Sequence, residues 1–171
     1  MFQCLLILTL TAPKVVADPL PSAATACLDS LFPGWKQIEY GSEYYGLTPT
    51  KRIRPAVFAC YLNSDTIGDF AVGFTAKKKS KIMDFYAALV SVGDGYELHV
   101  LSKLTLPKEI NGRIDILVEK AGNPIAFFGD KPGTRRLKND AVCLVPMSGC
   151  CATTHYYDEK SKKFKWFTSG D

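Results

Sequence analysis

Three oxygen-bearing side chains alternate along one short segment and could act together on a cation. Asn63, Asp65 and Asp69 lie between two predicted strands. Carboxylate and amide oxygens at alternating loop positions are the ligands that calcium takes in proteins. The same residue types also build turns, because their side chains accept hydrogen bonds from nearby backbone N–H groups. The segment therefore predicts either a degenerate calcium-type loop or a hydrogen-bonded turn, and the short ligand set favours the turn.

The segment around these residues resembles the aspartate-rich loop of FG-GAP or VCBS-type β-propeller repeats, which reads D-x-N-x-D-G-x-x-D-x-A. The three residues and Ala71 match that pattern, whereas Tyr61 stands at the first aspartate and Thr66 replaces the glycine. The resemblance covers roughly residues 55–103. It implies one degenerate repeat unit, no firmly held cofactor, and at most weak calcium binding, because one carboxylate is missing.

The chain also looks like small exported bacterial proteins that carry one such unit and end in a Tyr-Tyr…Phe…Trp hairpin. Here that hairpin contains Tyr156-Tyr157, Phe164 and Trp166. This resemblance implies a fold and a compartment rather than an activity.

Basic side chains form a second candidate site. Lys131, Arg135, Arg136 and Lys138 lie in a stretch rich in glycine, proline and charge. They form either a surface that binds an acidic partner or solvated loop ends that protect strand edges from pairing. The formal net charge of the chain is only +4. Nucleic-acid-binding domains are usually far more basic, so the charge predicts no nucleic-acid partner.

Six cysteines raise the question of disulfides. Cys143 and Cys150 flank a predicted turn and could face each other on neighbouring strands. Cys27, on the apolar face of a predicted helix, is expected to face a sheet near Cys60. Both pairs are disulfide candidates, and buried thiols are the alternative for each, because cysteine packs well as a small apolar residue.

The sequence gives little support to catalysis. It contains no G-x-S-x-G nucleophile motif. Cys151 and His155 share one strand face but lie four residues apart, which is about 13 Å in an extended strand. That separation is too large for a nucleophile and its base, so we expect a protein that is not an enzyme.

The N-terminus predicts export. Residues 2–12 form an apolar stretch of the length found in signal peptides, and Val15-Val16-Ala17 offers a cleavage site. We therefore expect a signal peptide over residues 1–17 and one β-rich domain over residues 18–171, periplasmic or secreted, with no transmembrane segment in the mature chain. The alternative is a buried N-terminal strand or helix.

One helix and many strands are predicted to position these sites. Ser22 is a plausible N-cap, the apolar spacing after it is helical, and Pro33-Gly34 ends the helix. Beyond that point apolar residues alternate with period two, as in the shared face of Phe70, Val72, Phe74 and Ala76. The pattern predicts an α+β, mostly β fold: an antiparallel meander or sandwich with one N-terminal helix.

The predicted export and the predicted β-rich fold lead to two hypotheses for function. The first is an exported, non-enzymatic binding or structural domain of the cell envelope, whose partner is an unidentified protein or envelope component. The second is an inhibitor or immunity-type protein that acts on a secreted hydrolase, because a β-scaffold that presents loops suits that task.

Overall fold

A computed structural model describes residues 20–40, 54–105, 114–128, 132–146 and 152–169. Within these ranges the chain forms helix α1 (Ser22–Leu31) and short strands β1 (Lys36–Gln37), β2 (Glu39–Tyr40), β3 (Arg54–Pro55) and β4 (Val57–Cys60). Three long strands follow: β5 (Asp69–Lys78), β6 (Lys81–Val92) and β7 (Gly95–Thr105). The remaining strands are β8 (Ile114–Glu119), β9 (Pro124–Phe127), β10 (Gly133–Arg136), β11 (Ala141–Pro146), β12 (Ala152–Asp158) and β13 (Lys163–Ser169).

The first sheet has the antiparallel order β1-β5-β6-β7, and β4 also pairs with β5. Strands β5, β6 and β7 form the predicted meander. Its two tight turns each contain a residue with positive φ, Lys79 at 56° and Gly93 at 58°. Strand β6 is central and is covered on both faces, which explains why residues 85–90 are apolar without alternation.

The second sheet has the order β10-β9-β13-β12-β11-β8, and all its pairs are antiparallel. Its last hairpin joins β12 to β13 through residues 159–162, which include the charged residues Glu159, Lys160 and Lys162. Strand β10, by contrast, lies in a stretch that the sequence analysis did not assign to strand, because its four side chains are all exposed.

The two sheets pack face to face. Their shared core contains Tyr86 and Ala88 from the first sheet and Ile116 and Leu144 from the second. A Cβ on Gly73 would lie only 2.9 Å from the Ala56 Cβ, so glycine permits this close packing.

Helix α1 covers the other face of the first sheet. Ala24 and Leu28 are fully buried there with Phe85 and with Phe74, a member of the apolar face predicted from the sequence. Ser22 is not the N-cap: Pro21 occupies that position and Ser22 is the first helical residue, with no side-chain capping bond. The α+β, mostly β prediction is confirmed, in its sandwich form with one N-terminal helix.

The predicted Cys27–Cys60 disulfide is not formed. Both residues are thiols; Cys27 packs in the layer between helix and sheet, whereas Cys60 lies in the core between the sheets. The first sheet therefore separates them. Cys150 lies outside the described residues, and Cys143 Sγ lies 3.8 Å from the Ser169 hydroxyl oxygen.

Within the ranges that the structure describes, the chain contains no helix of the length and apolar character that crossing a membrane requires.

Candidate functional site

Asp69 is the centre of the predicted acidic loop and is completely buried. One carboxylate oxygen accepts hydrogen bonds from the Leu62 backbone N–H at 2.6 Å and the Asn63 N–H at 3.3 Å. The other accepts from the backbone N–H of Ser91 at 2.7 Å and lies 2.8 Å from the Ser91 hydroxyl oxygen, whose single proton it shares with Asp65. A carboxylate offers about four acceptor positions, so these four bonds occupy Asp69 and tie the loop to β6.

Asp65 and Asn63 complete the loop from the solvent side. Asp65 accepts hydrogen bonds from the Ile67 backbone N–H at 2.9 Å and from the Ser91 hydroxyl at 2.9 Å. The Asn63 amide donates to Asp65 at 2.8 Å, and its oxygen accepts from the Asp65 N–H at 3.1 Å. The three predicted residues do lie together, and these bonds are the ones expected of the turn rather than of an open cation site.

A polar network ties the acidic loop to the second sheet at the same end of the sandwich. The Lys138 ammonium donates to the Ser64 hydroxyl at 2.8 Å, and that hydroxyl donates to the Glu159 carboxylate. Asn139 donates to the same carboxylate at 2.9 Å and to the Leu62 carbonyl at 3.2 Å. The hydrogen bonds from Ser64 and Asn139 lower the pKa of Glu159.

Asp140 fixes the base of this network. It accepts from the backbone N–H groups of Tyr61 and Ala121 and forms an ion pair with Lys120 at 2.8 Å. Burial opposes its ionisation, but Lys120 and the two N–H groups outweigh burial and lower the pKa of Asp140. Its carboxylate therefore acts as a structural acceptor that joins three segments.

Shallow clefts surround the network. A cleft of about 350 Å³ is lined by residues 136–140 and 156–160, and a second of about 280 Å³ lies between the acidic loop and β6. Arg136, the last residue of β10, lines the first cleft together with Lys138, Asp158 and Glu159. The walls of this cleft therefore carry charges of both signs.

Arg135 lies next to that cleft, with its guanidinium over three aromatic rings. Its guanidinium carbon is 4.9 Å from the ring centre of Phe167 and 5.6 Å from those of Phe127 and Tyr156. One guanidinium N–H group also donates to the Tyr156 hydroxyl at 3.4 Å. We call Arg135 and these three aromatic residues the Arg135 platform. Cation–π contacts hold the charge in a fixed, solvent-facing position.

Of the predicted basic residues, Arg136 and Lys138 line the same cleft, whereas Arg135 lies over aromatic rings. Arg136 donates to the Gly122 carbonyl and stabilises the β9–β10 hairpin, while Lys138 belongs to the polar network. Lys131 lies outside the described residues. Arg135, Arg136 and Lys138 are all exposed, and Arg135 lies over three aromatic rings.

Other titratable groups offer little chemistry. Burial lowers the pKa of His155 to about 4, and burial raises the pKa of the Cys60 thiol, with Asp69 and Asp140 adding to the effect. In the ranges that the structure describes, no group of three or more His, Cys, Asp or Glu side chains is placed to hold a metal ion.

Comparison with protein families, with curated proteins and with solved structures found no match to this chain. The FG-GAP or VCBS resemblance therefore stays a prediction. The three rings under Arg135 could not be recognised as one site in the sequence, because Phe127, Tyr156 and Phe167 come from three different strands.

Proposed function

We propose that this protein is an exported, non-enzymatic binding domain of the cell envelope. We further propose that its partner docks on the Arg135 platform and the adjoining cleft of residues 136–140. The single observation that carries this proposal is the guanidinium of Arg135, which lies within 6 Å of three ring centres while its side chain stays exposed.

The platform has the composition of an interface hot spot. Arginine and tyrosine are enriched among the residues that dominate binding energy. A side chain that is already fixed also loses little conformational freedom when a partner binds. Binding to Arg135 therefore loses less side-chain conformational entropy than binding to a freely rotating surface lysine.

The chemistry of the platform points to an acidic partner. A guanidinium has five N–H donors, and one of those of Arg135 contacts the Tyr156 hydroxyl. Among the residues that the structure describes, the other N–H groups have no hydrogen-bond partner, and their planar fork matches a carboxylate. We infer that an Asp or Glu side chain of the partner pairs with Arg135.

The charged groups at the loop end support a binding role over a catalytic one. Asp69 and Asp140 accept hydrogen bonds from the backbone, and Glu159 accepts from neighbouring side chains. A general acid or base must reach a substrate, whereas these carboxylates are engaged in holding the loops together. Rigid loops in turn keep the adjoining cleft in shape.

Export is tested by the start of the mature chain. Mass spectrometry of the protein recovered outside the cytoplasm should give an N-terminus near Asp18, without residues 1–17. Recovery of a soluble cytoplasmic protein that retains Met1 contradicts the export part of the proposal.

Binding is tested by capture from the envelope and secreted fractions of the source cells. The baits are the purified protein, Arg135→Ala, and the control Lys78→Ala, which removes an exposed cation at the far end of β5. The expected result is a protein enriched by the first and third baits and lost with Arg135→Ala. If all three baits enrich the same proteins equally, the platform is not the binding site.

The same capture decides the alternative of a hydrolase inhibitor. That hypothesis predicts a captured hydrolase whose activity falls when the purified protein is added. A captured protein without hydrolase activity leaves the binding proposal standing and removes the inhibitor hypothesis.

A further inference from the structure

A separate cleft, distinct from the two at the acidic loop, opens on the face of the β12–β13 hairpin opposite to the Arg135 platform. It has a volume of about 400 Å³, within the range of about 300–1,000 Å³ typical of small-molecule sites. Strand β7 forms one wall, and β12 and β13 form the other. The cleft therefore lies where the second sheet extends past the edge of the first.

Trp166 is the most unusual residue of this cleft. Its side chain is 64% exposed, the largest fraction among the large apolar side chains that the structure describes. Phe164, two residues earlier on the same face of β13, adds a second ring to the wall. An exposed indole offers both an apolar face and an N–H donor to a ligand.

The polar groups of the cleft are uncharged. Ser102 contributes a hydroxyl from β7, and Thr153 contributes one from β12. His155 Nε2 lies 3.2 Å from the Thr153 hydroxyl oxygen, so the two groups orient each other. No charged side chain lines the cleft among the residues described. A charged ligand would find no counter-ion here.

The histidine is also neutral at the pH of most compartments. His155 is 8% exposed, and burial lowers its pKa to about 4. Near pH 7 its imidazole therefore carries no charge and serves as a donor or an acceptor according to its tautomer.

Strand β7 is irregular where it borders the cleft. Ser102 pairs with Tyr86 and Val100 pairs with Ala87, so Leu101 is an extra residue in the strand. Such β-bulges bend a strand and redirect side chains, and they are frequent beside functional sites. The bend is thus located at the wall that faces Trp166.

We propose that this cleft binds a neutral saccharide, with one sugar ring stacked on Trp166 and its hydroxyls bonded to Ser102, Thr153 and His155. A pyranose ring has an apolar face of C–H groups and a rim of hydroxyls, which matches an indole beside uncharged donors and acceptors. This inference does not depend on the Arg135 platform, because the two sites lie on opposite faces of the β12–β13 hairpin.

The test is titration of the intact protein with maltohexaose, cellohexaose and chitotetraose, followed by calorimetry and by tryptophan fluorescence. The chain has two tryptophans, and Trp35 is half-buried with its indole N–H bonded to Asp29 at 2.8 Å. A change in emission on binding is therefore expected from Trp166. We expect saturable binding of at least one oligosaccharide.

Variants assign that binding to the cleft. Calorimetry should show binding abolished in Trp166→Ala, weakened about threefold to tenfold in Thr153→Val through loss of one hydrogen bond, and unchanged in Ile82→Ala. Ile82 is a matched control because it is 55% exposed on the first sheet. Thermal melts of Trp166→Ala check that the exposed position leaves folding intact.

Two results overturn the proposal. One is the absence of saturable binding to all three oligosaccharides by the folded protein, and the other is binding that persists in Trp166→Ala. Saturable binding of an extended neutral peptide, with no response to the oligosaccharides, would reassign the cleft to peptides. Loss of partner capture by Arg135→Ala does not bear on either result.

Discussion

Replacement of Asp69 by alanine is the sharpest test of how the acidic loop is built. Its carboxylate is fully buried and accepts four hydrogen bonds. When the Asp69 carboxylate is removed, the Ser91 hydroxyl can still donate to Asp65. The Asn63 N–H is only partly buried, so it can donate a hydrogen bond to water instead. The buried N–H groups of Leu62 and Ser91 are left without acceptors.

The magnitude follows from those two donors. A buried donor left unsatisfied costs about 1–3 kcal/mol, so two cost about 2–6 kcal/mol, and we expect a loss of about 4 kcal/mol. That is a large part of the roughly 5–15 kcal/mol that stabilises an ordinary domain. Urea unfolding should show a lower midpoint with an unchanged slope.

The control is Asp65→Ala, which removes an exposed carboxylate from the same loop and should cost less than about 1 kcal/mol. If Asp69→Ala lowers the free energy of unfolding as little as the control does, the Leu62 and Ser91 N–H groups are not left unsatisfied. Melts with calcium and with a chelator separate the two interpretations of the loop. Identical melts agree with the turn, whereas a calcium-dependent stabilisation that disappears in Asp69→Ala would establish a cation site.

Three further outcomes are expected. Gly73→Ala should lower the free energy of unfolding by about 1–3 kcal/mol through overpacking against Ala56, and Ala56→Gly in the same chain should recover part of it. Because the pKa of His155 falls to about 4 in the fold, the unfolded chain binds its proton first as the pH drops. Stability should therefore decline between about pH 6.5 and 4, and the decline should be smaller in His155→Gln when urea midpoints are compared across that window. Cys60, buried and with a raised pKa, should resist iodoacetamide in the native protein and react in urea, as peptide mass spectrometry can show; rapid native labelling would contradict its placement in the core.

The strands of the first sheet could be predicted from the sequence because their periodicity reports burial directly. Phe70, Val72 and Phe74 alternate along β5, and all of them face the helix layer. Residues 85–90 are apolar on both sides because β6 is central. Local pattern and tertiary environment agree along this meander, so the pattern was sufficient.

The relations between distant elements could not be predicted in the same way. Cys27 lies on α1, so it can reach Cys60 only if α1 covers the sheet face from which Cys60 projects. Period-two alternation shows that a strand has two faces, but it does not show which element covers each face. The Arg135 platform depends on the register of β9, β10, β12 and β13, which are far apart in sequence. Only strand pairing brings those rings under one guanidinium.

The acidic loop lies between these two cases. The residue types at 63, 65 and 69 correctly indicated an organised loop, because Asn and Asp side chains close turns through local hydrogen bonds. The bonds to Ser91 and the link from Ser64 to Glu159 are long-range contacts. They could be found only once the hairpins were assembled.

We propose that Arg135 is the main contact with a macromolecular partner. Calorimetry with the captured partner gives its Kd for the unmodified protein, for Arg135→Ala and for Lys78→Ala. We expect a Kd about thirtyfold or more higher for Arg135→Ala, the size of a hot-spot effect, and an unchanged Kd for Lys78→Ala. Equal affinities for all three proteins would rule out this role of Arg135.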